Sequence, residues 1–243
     1  MPFGPIARGA RRTAGRDRCS ATRSTDSARS LSGGAEANVV NSGPTSERVY
    51  DVLRHRLLTR VYGPGQRLDP SILARDLATS ITPVRDALHL LAGRGLVDVG
   101  TGEGFHVVQI DAPALVDLYA WNLGVLSLAL RSWPRTVDRS DSAFVEPDAF
   151  AGDTASQMAA LCLTIGQMSS NAEHRPALEI LNDRLQPIRM AEASLIEDPG
   201  SELRALRTAL AARESRALRQ LLVPYHRRRQ RKAAEIVRVH YRR

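Results

Sequence analysis

Residues 69–97 read DPSILARDLATSITPVRDALHLLAGRGLV, and the pattern of this stretch decides the fold. Asp69 and Pro70 pair a capping side chain with a proline suited to a first helical turn, so a short helix is expected through Ala78, with Ile72, Leu73 and Leu77 as its apolar side. Thr79, Ser80 and Ile81 form the turn that follows. Thr82 and Pro83 repeat the cap and first-turn arrangement and open a longer helix ending near Gly95, in which Val84, Ala87, Leu88 and Leu91 fall at i, i+3, i+4 and i+7. That stripe has to face a core, which leaves Thr82, Arg85 and His89 on the complementary face.

Upstream, Thr45 or Ser46 can cap a helix carrying Val49, Val52, Leu53 and Leu57 at helical spacing, and Gly63, Pro64 and Gly65 stop it. Downstream, Leu96–Val99 and Phe105–Val108 flank a glycine-rich turn at 100–104 and read as a β-hairpin. Three short helices and a hairpin make a winged helix-turn-helix, assigned to residues 44–109. From Asp111 onward the apolar residues recur only at helical intervals. Helices are expected from Pro113 to about Leu130, over 155–169, over 174–196 with a break at Pro187, over 201–222, and over 225–241 after Pro224, with a loop at 131–153. The expected fold class is mainly α: an N-terminal winged helix-turn-helix followed by an all-α helical bundle over 110–243. Residues 1–43 carry seven arginines against Asp17, Asp26 and Glu36 and read as a disordered Arg/Ser/Gly-rich tail, with neither the apolar core of a secretory signal nor an amphipathic helix.

Composition narrows the function. A net charge of +8 favours a polyanionic partner, because clustered cations release counterions from phosphates, although 33 of the 34 basic residues are arginine, a skew that genome composition alone can produce. Cys19 and Cys162 lie far apart, outside any metal-binding or redox spacing, which fits a reducing cytoplasm. The longest nearly uncharged stretch, Leu118–Leu130, is 13 residues, short of the roughly 20 that a membrane-spanning helix needs, so no membrane partner is expected. No Ser/His/Asp set, phosphate-cradling glycine loop or carboxylate cluster points to an enzyme. The thirteen basic residues of 204–243, set against Glu214 and Glu235, read as a solvated helix face with nonspecific DNA contact as the sharper alternative. Trp121 and Trp133 read as core or interface residues, and Cys162 as a small buried one.

The order Val49, Tyr50, Leu53, then Gly63, Pro64, Gly65, Leu68, then Leu73, Ala74, Leu77 is continued by Ser80, Thr82, Pro83, Val84, Arg85, Ala87 and Leu88, and by Gly95, Leu96, Val97, Gly104 and Val107. With these matches the chain resembles the GntR family of bacterial transcription regulators, in the FadR-like branch with an all-helical (FCD-type) C-terminal domain. The resemblance implies that the third helix enters the major groove of double-stranded DNA. Arg85 is then the candidate reader of guanine O6 and N7, Ser80 and Thr82 the phosphate contacts at the helix start, His89 a further contact, and Thr101 and Gly102 the wing tip. Ile81 and Ser71 depart from the family, which carries arginines there, so the operator is expected to differ from the common family site.

The resemblance weakens past residue 109. In the metal-binding branch an Asp and three His hold a divalent ion; here Met158, Cys162 and Leu203 take the first three positions, and only His226 can stand for the fourth, so no metal and no other cofactor is expected. Asn122 and Leu126 replace the family's Arg and Glu on the first bundle helix. Two readings remain open: a pocket for something other than the usual small carboxylate, or a platform used mainly for dimerisation. The leading expectation is a cytoplasmic, sequence-specific regulator, a repressor by family habit, acting as a homodimer on an inverted repeat, with a small-molecule effector of unassigned identity and site. The runner-up is an effector-independent architectural protein that holds nucleic acid through its arginine-rich surface, weakening chiefly when residues 227–232 are neutralised.

Overall fold

A computed structural model describes residues 43–100, 104–134 and 152–242. All but the last residue of the tail expected at 1–43, most of the loop expected at 131–153, and the wing tip lie outside them. The described residues form nine helices and three short strands, so the chain is mostly helical with one small sheet.

Helix α1 (Gly43–Leu58) is followed by strand β1 (Arg67–Leu68), helix α2 (Pro70–Asp76) and helix α3 (Ile81–Gly93). Asp69 caps α2 as the sequence implies: its carboxylate accepts from Ser71 N at 2.8 Å and Ile72 N at 3.3 Å, which holds its pKa below the usual range. The connection to α3 is a left-handed turn in which Ala78 takes φ 48°, Ala78 N donates to Arg75 O and Thr79 N to Ala74 O. Glycine does the same work after α3. Gly95, at φ 70°, closes it with Leu96 N donating to Leu91 O.

Strands β2 (Val97–Gly100) and β3 (Gly104–Val107) pair antiparallel, Val97 opposite Val107 and Gly100 opposite Gly104. The sheet order is β1-β3-β2. Strand β1 is an addition to the sequence reading, because two residues are too short for a period-two signal. Val49, Leu53, Val84, Leu88, Leu91, Val97 and Phe105 close one apolar core over these elements. Ile72 is a correction: expected on the apolar side of α2, it is 50% exposed, while Leu73, Ala74 and Leu77 pack against the core.

The bundle consists of α4 (Ala112–Arg131), α5 (Thr154–Gln167), α6 (His174–Glu192), α7 (Pro199–Ala211), α8 (Ser215–Arg231) and α9 (Ala233–Tyr241), around a second apolar core that includes Leu115, Leu126, Leu161, Ile165, Leu185 and Leu222. The boundary expected at Pro224 is wrong. The chain breaks earlier, where Arg213 takes φ 55°, Arg213 N donates to Leu210 O and Glu214 N to Ala209 O; this left-handed cap forms on arginine, so no glycine announces it. Pro187 and Pro224 instead lie inside α6 and α8, each forgoing a single backbone bond.

By length and composition alone α4 would pass as a membrane span, because only Asp117 interrupts its 20 residues before Arg131, so the apolar helix is longer than the Leu118–Leu130 stretch that stood out in the sequence. One side of it, including Leu115, Leu118, Tyr119, Val125, Leu126 and Ala129, is buried in the bundle.

Candidate nucleic-acid interface

The surface of α3 is set by how the helix starts and what it buries. Ser80 takes extended backbone at φ −82° and ψ 166°, and the helix begins at Ile81, so Thr82 and Pro83 stand inside the first turn. This corrects the expected Thr82 cap. First-turn N–H groups have no intrahelical partner, so a proline is tolerated throughout that turn and does not mark the residue before it as the cap. The Ser80 side chain makes no capping hydrogen bond, which leaves the positive end of α3 uncovered by its own cap.

Burial of Val84, Ala87, Leu88 and Leu91 turns Thr82, Arg85 and His89 outward, with Ser80 and Ile81 exposed beside them. The structure therefore brings Thr82, Arg85 and His89 to one face, with Ser80 exposed at the start of the helix. Among the described residues Arg85 makes no ion pair with Asp76 or Asp86, the bland alternative for its charge. His89 has a structural contact as well: its ring meets Phe105 edge-on at 5.0 Å, tying α3 to β3. Thr101 and Gly102 fall outside the described residues. Ile81, which the sequence placed in the turn, instead opens α3 and is 40% exposed.

One carboxylate ties the head that carries α3 to the bundle, alongside a bond from Arg60 Nη2 to His240 O at 2.5 Å. Asp183 on α6 is 1% exposed and accepts from Arg54 of α1, at Nε (3.2 Å) and Nη2, and from Arg94 Nε after α3 at 2.6 Å. The carboxylate raises the Arg54 pKa against the opposing effect of burial. Nothing in the sequence pairs residues 129 positions apart.

Inside the bundle, at the positions the resemblance assigns to a metal and an effector, lies a polar network. Met158 and Leu203 offer no oxygen or nitrogen donor, burial raises the pKa of the Cys162 thiol beside the Arg189 cation, and His226 has no lone pair to spare, for its Nδ1 lies 2.7 Å from Leu222 O and its Nε2 2.8 Å from the Asn122 side chain. Burial holds His226 neutral, with a pKa lowered to about 3. The residues do not fit a metal. Arg229, 2% exposed, donates to Glu192 at 2.8 Å and Glu202 at 3.0 Å and stacks on Tyr225 at 3.3 Å; Tyr119 also donates to Glu192. Burial opposes the Arg229 charge, but Tyr225 and Glu192 outweigh it and keep the guanidinium protonated. The run at 227–232 is thus not a uniformly solvated face: Arg229 points inward, and Arg228 pairs with Glu202 at 3.1 Å. Arg189, also buried, donates to Asn182 at 2.9 Å. The space between Met158, Leu203, Arg189 and Arg229 is about 20 Å³, room for a single water.

Residues 45–107, within the winged head, match the family of bacterial regulatory proteins named gntR. They are a GntR-type winged helix-turn-helix. Over 77 residues the chain is 39% identical to an uncharacterized HTH-type transcriptional regulator in an unstable DNA locus of Streptomyces ambofaciens, 31% of this chain and 33% of that one. It is 26% identical over 81 residues to the HTH-type transcriptional regulator YdhC of Bacillus subtilis, covering 33% of this chain and 36% of that protein. The chain thus matches about a third of the length of each curated relative. Likeness in shape extends beyond the GntR segment. The crystal structure of a GntR protein from Rhodococcus sp. RHA1 superposes on 79% of this chain and 98% of its own, with a TM-score of 0.64 at 19% identity, and Escherichia coli McbR/YncC on 78% and 97%, with a TM-score of 0.56 at 22% identity. At these identities the superpositions show a shared fold.

Proposed function

We propose that the protein is a sequence-specific DNA-binding transcription regulator, in which residues 44–109 read DNA and residues 110–243 form a bundle of the FCD type that pairs two protomers. The observation that carries this reading is the solvent-facing stripe of Thr82, Arg85 and His89, with Ser80 exposed before it, on the helix whose other face is the core of a GntR-type head. Seated in a major groove, α3 places Arg85 to read guanine with two parallel hydrogen bonds, while Ser80, Thr82 and the helix N-terminus meet phosphate. His89 borders the same groove, and Thr101 and Gly102 are assigned to the wing contact. Ile81 replaces a family arginine with an apolar surface suited to a thymine methyl group, so the operator should carry A·T pairs there.

Each protomer then takes one half-site of an inverted repeat, in the cytoplasm, and occupancy represses. No effector pocket is assigned: a ligand entering between Met158 and Leu203 has to displace side chains, and it acts only by binding the two arrangements of the heads unequally. The architectural alternative is disfavoured by Arg229, which is withdrawn from the basic run on which that reading depends. Selection of bound duplexes from a randomised pool tests the proposal. An enriched inverted repeat is expected; enrichment blind to sequence would overturn it.

A further inference from the structure

The face of α4 that the bundle does not cover is apolar. Trp121 is 57% exposed and Leu128 46%, and with Ala120, Gly124 and Ser127 they form one stripe, since residues three, four and seven apart share a helix face. An apolar stripe headed by an exposed tryptophan marks an interaction site. Its chemistry identifies the occupant. The two charges on this face, Asp117 and Arg131, have no ion-pair partner among the described residues, and each stands seven positions from Gly124. A two-fold axis through Gly124 with antiparallel helices therefore sets Asp117 of each copy against Arg131 of the other. The same operation sets large against small: Trp121 faces Ser127, and Leu128 faces Ala120. Gly124 sits at the crossing, where a side chain would hold the backbones apart, and a Cβ built there meets nothing within 4 Å in its own chain. The Ser127 hydroxyl is already bonded to Leu123 O at 2.7 Å, so it can be covered without stranding a polar group.

We infer that α4 is the dimerisation helix, two copies of this chain crossing antiparallel about Gly124 with Asp117 and Arg131 paired across the axis. This gives the homodimer of the proposed function its interface and rests on that reading for its biological purpose. Self-complementarity of this kind is what an isologous two-fold contact requires, and neither a lipid surface nor an unrelated helix would call for charges spaced evenly about one glycine.

Two measurements on the full chain test it. Oxidation of Gly124→Cys in a Cys19→Ser background should yield a covalent dimer, because a residue on the axis meets its own copy; Cys162 is fully buried. Ala120→Cys and Leu128→Cys should cross-link mainly when mixed. In sedimentation, Gly124→Leu, Asp117→Arg and Arg131→Asp should each weaken the dimer tenfold or more, with unchanged helix content. The double variant Asp117→Arg/Arg131→Asp should return to within threefold of the wild type. A monomeric wild type, a dimer indifferent to these variants, or co-flotation with phosphatidylglycerol vesicles would each overturn the inference. Selective DNA binding with an indifferent dimer would sink this interface alone. A dimer that responds as described but binds DNA without selectivity would uphold the interface and sink the DNA reading.

Discussion

The reading head and the bundle solve the same packing problem with different materials. The buried side chains of the head are aliphatic or aromatic, from Val49 and Leu53 through Leu88 and Leu91 to Phe105. Each of the eight buried polar or charged residues described, among them Asn122, Asp183, Arg189, Glu192, His226 and Arg229, belongs to the bundle. An apolar core is forgiving, since any side chain of about the right volume will do. A buried ionic network is conditional, because each charge depends on its partners, and removing one strands the rest.

Truncation on either side of that divide should show the contrast. Arg229→Ala leaves Glu192 buried beside Tyr119 without its cation and is expected to destabilise the protein by about 4 kcal/mol, whereas converting both Arg229 and Glu192 to Met should restore much of the loss. Urea denaturation reads both, and additive losses in the double variant would contradict the coupling. In the head, Leu88→Ala should cost about 3 kcal/mol, with no polar partner whose removal offsets it.

A second contrast is in pH. Above its usual value of 6.5, His226 is neutral whether folded or unfolded; below it, the unfolded chain takes up a proton that the folded chain, with its pKa lowered to about 3, refuses. Stability is therefore full above about pH 6.5 and falls as pH drops toward 3, by up to about 1.4 kcal/mol per unit for this one group. His240, lowered to about 4 by burial and Arg60, adds to the decline between 6.5 and 4. Melting curves of His226→Gln across pH 4–7 should be flatter than wild type; parallel curves would show that His226 does not carry the effect.

How much of this was legible in the sequence follows the same division. The head could be read because local chemistry fixes it: Asp69 caps α2, the Val84, Leu88 and Leu91 stripe orients α3, and Gly95 ends it. Its misreadings, Thr82 as cap and Ile72 as core, are each local. In the bundle, helices appeared about where expected until the chain turned at Arg213, a left-handed residue with no glycine to signal it. The Asp183 junction and the Arg229 network join residues far apart in sequence, and a charge at helical spacing looks the same whether it meets water or a buried partner. Turn strain offers a small test of the local half. Ala78→Gly should stabilise the protein by up to about 1 kcal/mol, because φ 48° costs alanine more than glycine, and an unchanged melting temperature would count against a strained turn.

The central claim is that the solvent-facing stripe of α3 reads DNA sequence. It is tested most directly by titrating wild type and Arg85→Ala against the selected inverted repeat and a shuffled duplex at two salt concentrations. Wild type should prefer the repeat by about a hundredfold, about 2.7 kcal/mol, and Arg85→Ala should lose most of that preference while keeping a similar salt dependence on shuffled DNA. Equal discrimination by the two proteins would contradict the assignment of Arg85, and equal affinity of wild type for both duplexes would contradict the regulator itself.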